Sequence, residues 1–299
     1  MTVRPRAPML LLTAVVAACA PVDRGGGPGD TAPPVSIRDL VAVPNPANVL
    51  SYYVWWTTDR ASSTALDLDC GEHAVTITGP GLREDHEVVV LGLYPGAACT
   101  FIARSEAPDR GTGEASVTVE AGAPPSDTLP PLDVAVPSSD RTQSGWTVFN
   151  LSHAGDPQPP VVAVVDPAGR YRWYHVRATG ISSSGMVVRR VPEGFLMGGG
   201  SDGASSWPAL VDLEGRVLWE EELPYEHHEI LPWGPDGQDV LFLSRTVSCP
   251  AGIPQSATVV AWDRSESRPL WEWSLCEHYA PEEIGDPDWD HTNAIVPVP

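Results

Sequence analysis

Two histidine-bearing segments hold the residues best suited to chemistry. Glu226-His227-His228-Glu229-Ile230 comes before a turn at Gly234 to Gly237 and a strand at Val240 to Ser244. Asp288-Trp289-Asp290-His291-Thr292-Asn293-Ala294-Ile295 follows about sixty residues later. A neutral imidazole is a nucleophile or a base near pH 7, and a second, protonated one is an acid. Single histidines are usually structural, but each of these directly precedes a strand. A metal site built from His227, His228 and His291 with Asp290 has suitable donor types. No single segment shows a characteristic ligand spacing, so metal binding ranks last and no cofactor is expected.

The elements that must position these histidines read as repeats. Asp166-x-x-Gly169 leading to Trp173 recurs as Asp212-x-x-Gly215 leading to Trp219. A degenerate third copy runs from Trp262-Asp263 to Trp271 and Trp273. The aspartates stand 46 and 51 residues apart, which suits one four-stranded propeller blade per repeat. Each copy predicts strand, hairpin turn, strand, with glycine supplying positive φ and aspartate bonding its own backbone. The tryptophans are assigned to packing between blades. Segments that enter the innermost strands of a propeller converge on its central channel, so distant histidines can meet there.

Residues 35–120 show short β-type runs: Val49 to Thr57, Ala74 to Thr78, Glu87 to Leu93, Thr100 to Arg104 and Ala115 to Glu120. About seven strands in this span predict a β-sandwich. Leu93-Tyr94-Pro95-Gly96 before Cys99 and Phe101 resembles a fibronectin type III corner, with Cys99 in the usual tyrosine slot. The expected fold class is therefore all-β, an N-terminal β-sandwich followed by an incomplete β-propeller of about three to four blades. The boundaries are a signal peptide at 1–18, a tether at 19–34, the sandwich at 35–120, a proline-rich linker at 121–133 and the partial propeller at 134–299.

Export is read from the first residues. Arg4 and Arg6 precede an apolar run from Met9 to Ala18, too short to span a bilayer but suited to a signal peptide. It ends in Val16-Ala17-Ala18-Cys19, which resembles the lipobox of bacterial lipoproteins, where the cysteine carries lipid. The expectation is a membrane-anchored lipoprotein facing the periplasm or cell exterior. Setting Cys19 aside leaves Cys70, Cys99, Cys249 and Cys276, an even number that suggests two disulfides. Of the three connectivities, local pairing of Cys70 with Cys99 and Cys249 with Cys276 is preferred. The net charge is −21, with every basic residue an arginine. A chain this acidic is repelled by nucleic acid, so that partner class is excluded.

Together these features resemble the bacterial arylsulfotransferases. The resemblance rests on Glu226-His227-His228-Glu229-Ile230 before Pro235-x-Gly237-x-x-x-Leu241, and on Asp288 to Ile295 with its Trp289, His291, Asn293 and Ala294. It covers about residues 134–299 and is supported by the Asp-x-x-Gly-x-x-x-Trp repeats. It implies transfer of a sulfuryl group from a phenolic sulfate ester to a phenol acceptor, through a sulfohistidine intermediate. His228, ahead of His227, and His291 would contact sulfuryl oxygens or relay protons, and Asn293 would hold the loop around His291. The family's nucleophilic histidine and its arginine match no position before Pro299. The expectation is thus a fragment of a longer protein or an inactive truncated product, without turnover as this chain. His175 and His278 fall outside the motifs and are assigned no role. The alternative is a non-catalytic surface lipoprotein for binding or adhesion, with the histidines purely structural.

Overall fold

The computed structural model describes residues 32–71, 74–126, 128–134, 144–151, 159–177, 187–198, 206–246, 256–279 and 292–297. The signal peptide, Cys19, Cys249 and His291 lie outside the described residues. The described chain is all-β, with its strands in four antiparallel sheets. It divides into two compact units. The first takes the described residues up to Val43, then Tyr52–Val90 and Ala97–Glu120; the second takes Pro44–Ser51, Leu91–Gly96 and the described residues from Ala121 onward.

The first unit holds β1 (Ile37–Pro44), β2 (Tyr52–Asp69), β3 (Ala74–Val90), β4 (Ala98–Glu106) and β5 (Thr112–Glu120). They form one sheet in the order β1-β2-β4-β5, with β3 also paired to β2, curled into a half-barrel. Alternation is strict on β4, where Cys99, Phe101, Ala103 and Ser105 are buried between more exposed neighbours. Trp56, Leu66, Val90 and Phe101 fill the concave face at 0–1 % exposure.

This arrangement differs from the expected seven short strands. Five strands are present, because Ala74 to Thr78 and Glu87 to Val90 are two ends of the single strand β3. The intervening Gly79-Pro80-Gly81 reads as a turn but lies within that strand, at the sheet edge, where proline is tolerated. Register shifts between Thr57 and Ser62 and between Ser62 and Thr64 bend the long hairpin instead of ending it. Inside the bend, His86 stacks on Trp56 at 4.9 Å, with its Nδ1 2.7 Å from the Thr64 hydroxyl. Cys70 and Cys99 are disulfide-bonded with their Cα atoms 4.2 Å apart. Cys276 is also disulfide-bonded.

The described residues of the second unit form three meanders. The first has three strands: β6 (Thr147–Leu151), β7 (Val161–Val165) and β8 (Tyr171–Val176). The next has four: β9 (Val187–Val191), β10 (Gly194–Gly198), β11 (Ala209–Asp212) and β12 (Val217–Glu220). The last also has four: β13 (Glu226–Trp233), β14 (Asp239–Thr246), β15 (Ser256–Asp263) and β16 (Arg268–Ser274).

The aspartate repeats form matching turns. Asp166 Oδ1 accepts from the amides of Ala168 and Arg170, each at 3.0 Å, while Gly169 takes φ +75°. Asp212 Oδ1 accepts from Glu214 and Arg216, each at 2.9 Å, and Gly215 takes φ +87°. In the third copy Asp263 Oδ1 accepts from Ser265 and Glu266, and Ser267 supplies the positive φ of 52°.

Successive meanders share apolar clusters. Val162, Val164 and Trp173 pack with Phe195, Met197 and Val211, joining the first meander to the second. Leu196, Leu210 and Leu223 pack with Ile230, Val240, Phe242 and Val260, joining the second to the third. The Trp173 indole donates to Leu213 O at 2.8 Å across the first boundary. Trp262 donates to Glu221 Oε2 at 3.2 Å across the second, where Trp219 of Glu221's own meander donates to the same oxygen at 3.3 Å. These three tryptophans therefore pack between sheets. Trp271 does not, and is 51 % exposed.

Candidate histidine site

His227 and His228 lie inside β13, the first strand of the last meander, rather than in a loop before a strand. Gly234 and Gly237 adopt positive φ and turn the chain from β13 into β14, so the strand begins earlier than the apolar run at Val240 to Ser244 suggests. Within β13 the ladder to β14 is interrupted. Glu226 pairs with Ser244 and Ile230 with Phe242, leaving His227, His228 and Glu229 opposite Leu243 alone. The extra residues make a bulge, a feature that re-aims side chains out of a regular sheet. His228 sits at its apex with φ +59°, a conformation that costs a non-glycine residue about 1–2 kcal/mol.

The two rings meet edge to face, with centroids 5.0 Å apart and planes at 86°. His227 is buried and His228 is half-buried, so His228 is the more accessible of the two. Both flanking carboxylates are buried and held from outside β13. Glu229 is gripped by Arg189 of β9, with Nη2 at 2.7 and 2.8 Å from its two oxygens and Nε at 3.0 Å from one. Glu226, at 0 % exposure, accepts a hydrogen bond from the Ser206 hydroxyl. Gly198 makes room for this contact, since a Cβ there would lie 3.1 Å from Glu226 Oε1 and 2.5 Å from Ile230 Cγ2.

A buried cation stands near Glu226. Arg177, just past β8, donates to Glu220 Oε1 at 2.8 Å and to the Trp207 carbonyl. Burial pulls its guanidinium below the ordinary range, opposed by the charges of Glu220 and Glu226. Burial, then the nearby Arg177 charge, pushes the His175 imidazole down to about 4, so this ring is neutral at pH 7.

His227 and His228 are thus brought together and braced from β9, β12 and the segments around Arg177 and Ser206. His291 and Asp288 to Asp290 lie outside the described residues; Thr292 to Pro297 run on without regular structure, with Ile295 against Leu231, Leu241 and Ala261. Among the described residues no group of three or more His, Cys, Asp or Glu side chains is arranged to hold a metal ion. Arg177, Arg189 and Ser206 escaped the sequence reading, because each is remote in the chain from β13 and reaches it only through sheet stacking, and His175 was assigned no role there. No protein-family model matches this sequence, and no curated protein is significantly similar to it.

Proposed function

We propose that the chain is an exported arylsulfotransferase-like protein, in which the three meanders are successive blades of a β-propeller and the β13 bulge presents the histidine side of a sulfuryl-transfer site. One observation supports this reading most strongly. His228 is held at positive φ, half-exposed, in a strand interruption flanked by two buried carboxylates of its own strand, which Arg189 and Ser206 hold from other segments. Strain of this kind persists only where surrounding structure enforces it, and it gathers at functional sites.

In this reading a phenolic sulfate ester binds with its sulfuryl group at the histidines. An imidazole nitrogen takes the sulfuryl group as the S–O bond to the phenol breaks, and the leaving phenolate takes a proton from a second imidazolium. An acceptor phenol then attacks sulfur, giving its proton to the second imidazole, now neutral, as the S–N bond breaks. His228, ahead of His227, contacts sulfuryl oxygens or relays the proton. Arg189 and Arg177 are committed to Glu229 and to Glu220, so neither is offered as the sulfuryl clamp. Cys19 as a lipid anchor and an extracytoplasmic location belong to the same proposal.

A non-catalytic binding lipoprotein is favoured by a different observation. Glu226 and Glu229 are matched within the sheets, as a purely structural bulge would require. Acceptor-dependent release of 4-nitrophenolate from 4-nitrophenyl sulfate separates the two readings, because a scaffold releases none.

A further inference from the structure

A second site lies away from the histidines, where the cluster between the first and second meanders ends without filling its space. There a cavity of about 400 Å³ opens beside Val148, Val164, Trp173, Phe195 and Leu213, with Trp146 along its outer wall. This volume suits a small organic ligand, for which pockets of about 300–1,000 Å³ are usual. The walls are almost wholly apolar and the charged groups that line the cavity are Arg172 and Arg190.

The outer wall rests on packed backbone and stacked side chains. Gly92, at φ +76°, lies so close to Trp146 that a Cβ would come 2.8 Å from its ring, so the indole rests on bare backbone. Arg172 lies 5.5 Å from the Trp146 ring and 5.3 Å from that of Tyr94, donates to Gly92 O at 2.9 Å and is paired with Asp166 at 3.0 Å.

The two arginines differ. Arg172 is consumed by Asp166 and the wall. Arg190 lies 5.9 Å from the Phe195 ring and donates through Nη1 to Gly194 O at 3.0 Å; among the described residues it has no carboxylate partner. A guanidinium beside an aromatic face, with donors to spare, matches an acidic group carried on a planar ring. In a chain of net charge −21, such a cationic mouth is a local exception.

We propose that this cavity binds a planar aromatic monoanion, one or two fused rings bearing a single acidic group, with the ring between Trp146 and Phe195 and the anion on Arg190. The site is independent of the histidines and does not rest on the sulfuryl-transfer reading.

Calorimetric titration of the purified protein with naphthalene-2-carboxylate, naphthalene-2-sulfonate and neutral naphthalene-2-carboxamide tests it. Both anions, or one of them, are expected to bind with one-to-one stoichiometry and at least tenfold more tightly than the amide; the stronger anion identifies the preferred acid. Arg190→Gln should erase that preference, Arg190→Lys should keep part of it, and His228→Ala should leave it unchanged. Val148→Trp, which fills the cavity, should abolish binding of all three, with Leu91→Trp as a rim variant should the first fail to fold. Absence of binding, equal affinity for anion and amide, or binding unaffected by Arg190→Gln and by a filling variant would each overturn the proposal.

Discussion

The rings of His227 and His228 stand 5.0 Å apart and nearly perpendicular, on a bulge where three residues of one strand face a single residue of the next. Adjacent residues in a regular strand point to opposite faces. The bulge and the positive φ of His228 remove that constraint and let two imidazoles share one place. What maintains the distortion is the pair of carboxylates on either side, each tied to a different part of the second unit.

The two arginines at this site should both matter on removal, Arg177 somewhat more than Arg189. The Arg177 side chain is 2 % exposed, and its loss leaves the fully buried Glu226 without its nearby cation. Arg177→Ala is expected to destabilise the protein by about 3 kcal/mol, less than the cost of breaking a wholly buried ion pair because Glu220 is 39 % exposed. The Arg189 side chain is 43 % exposed, which screens the pairing, but its loss leaves the Glu229 carboxylate, 5 % exposed, without that partner, so Arg189→Ala should cost about 2 kcal/mol. Urea unfolding of both variants measures the difference.

The aspartate turns give a parallel contrast. Asp166→Ala removes two amide contacts and also strands Arg172, which is 7 % exposed, so a loss of about 3 kcal/mol is expected. Asp212→Ala removes the same amide contacts, but its partner Arg216 is 63 % exposed. That loss should be about 1–2 kcal/mol. Thermal melts of the two variants should rank them in this order.

Stability should fall in mild acid because of His175. Its folded pKa of about 4 lies below the unfolded value near 6.5, so the unfolded chain binds more protons between these limits. The contribution is full above pH 6.5 and is lost progressively as pH drops toward 4. It amounts to about 1–3 kcal/mol, allowing for the half-buried ring. His86, lowered in pKa chiefly by burial, acts in the same direction. In urea melts across this range, His175→Gln should show a shallower acid loss than the parent; an identical slope would remove His175 as a cause.

The Cys70–Cys99 disulfide closes a loop with a sequence separation of 29. Replacing both cysteines by serine should lower stability by about 3–4 kcal/mol on the chain-entropy account. Unfolding monitored through the buried Trp56, with and without the bond, measures it.

The legible parts of this fold were those specified by residues close in sequence. The Asp-x-x-Gly turns declare themselves because aspartate bonds amides two and four residues on, and glycine takes the positive φ. The third turn shows the limit, since Ser267 takes that conformation without being glycine. The long bent hairpin of β2 and β3 was illegible, because Gly79-Pro80-Gly81 signals a turn and only pairing with Thr64 and its neighbours keeps it extended. At the candidate site, the adjacent histidines were visible as types. Their bracing was not, since Arg177, Arg189 and Ser206 reach Glu226 and Glu229 across separations of 20 residues or more.

The most direct test of the proposed chemistry is the rate of 4-nitrophenolate release from 4-nitrophenyl sulfate with a phenol acceptor, using protein expressed from its entire reading frame. His228→Gly is the decisive variant, since glycine relieves the positive φ and should hold stability within about 1 kcal/mol of the parent. The expected result is acceptor-dependent release by the parent and a loss of at least a hundredfold in the folded His228→Gly protein. No release by the parent, or equal release by the two proteins, would contradict the account.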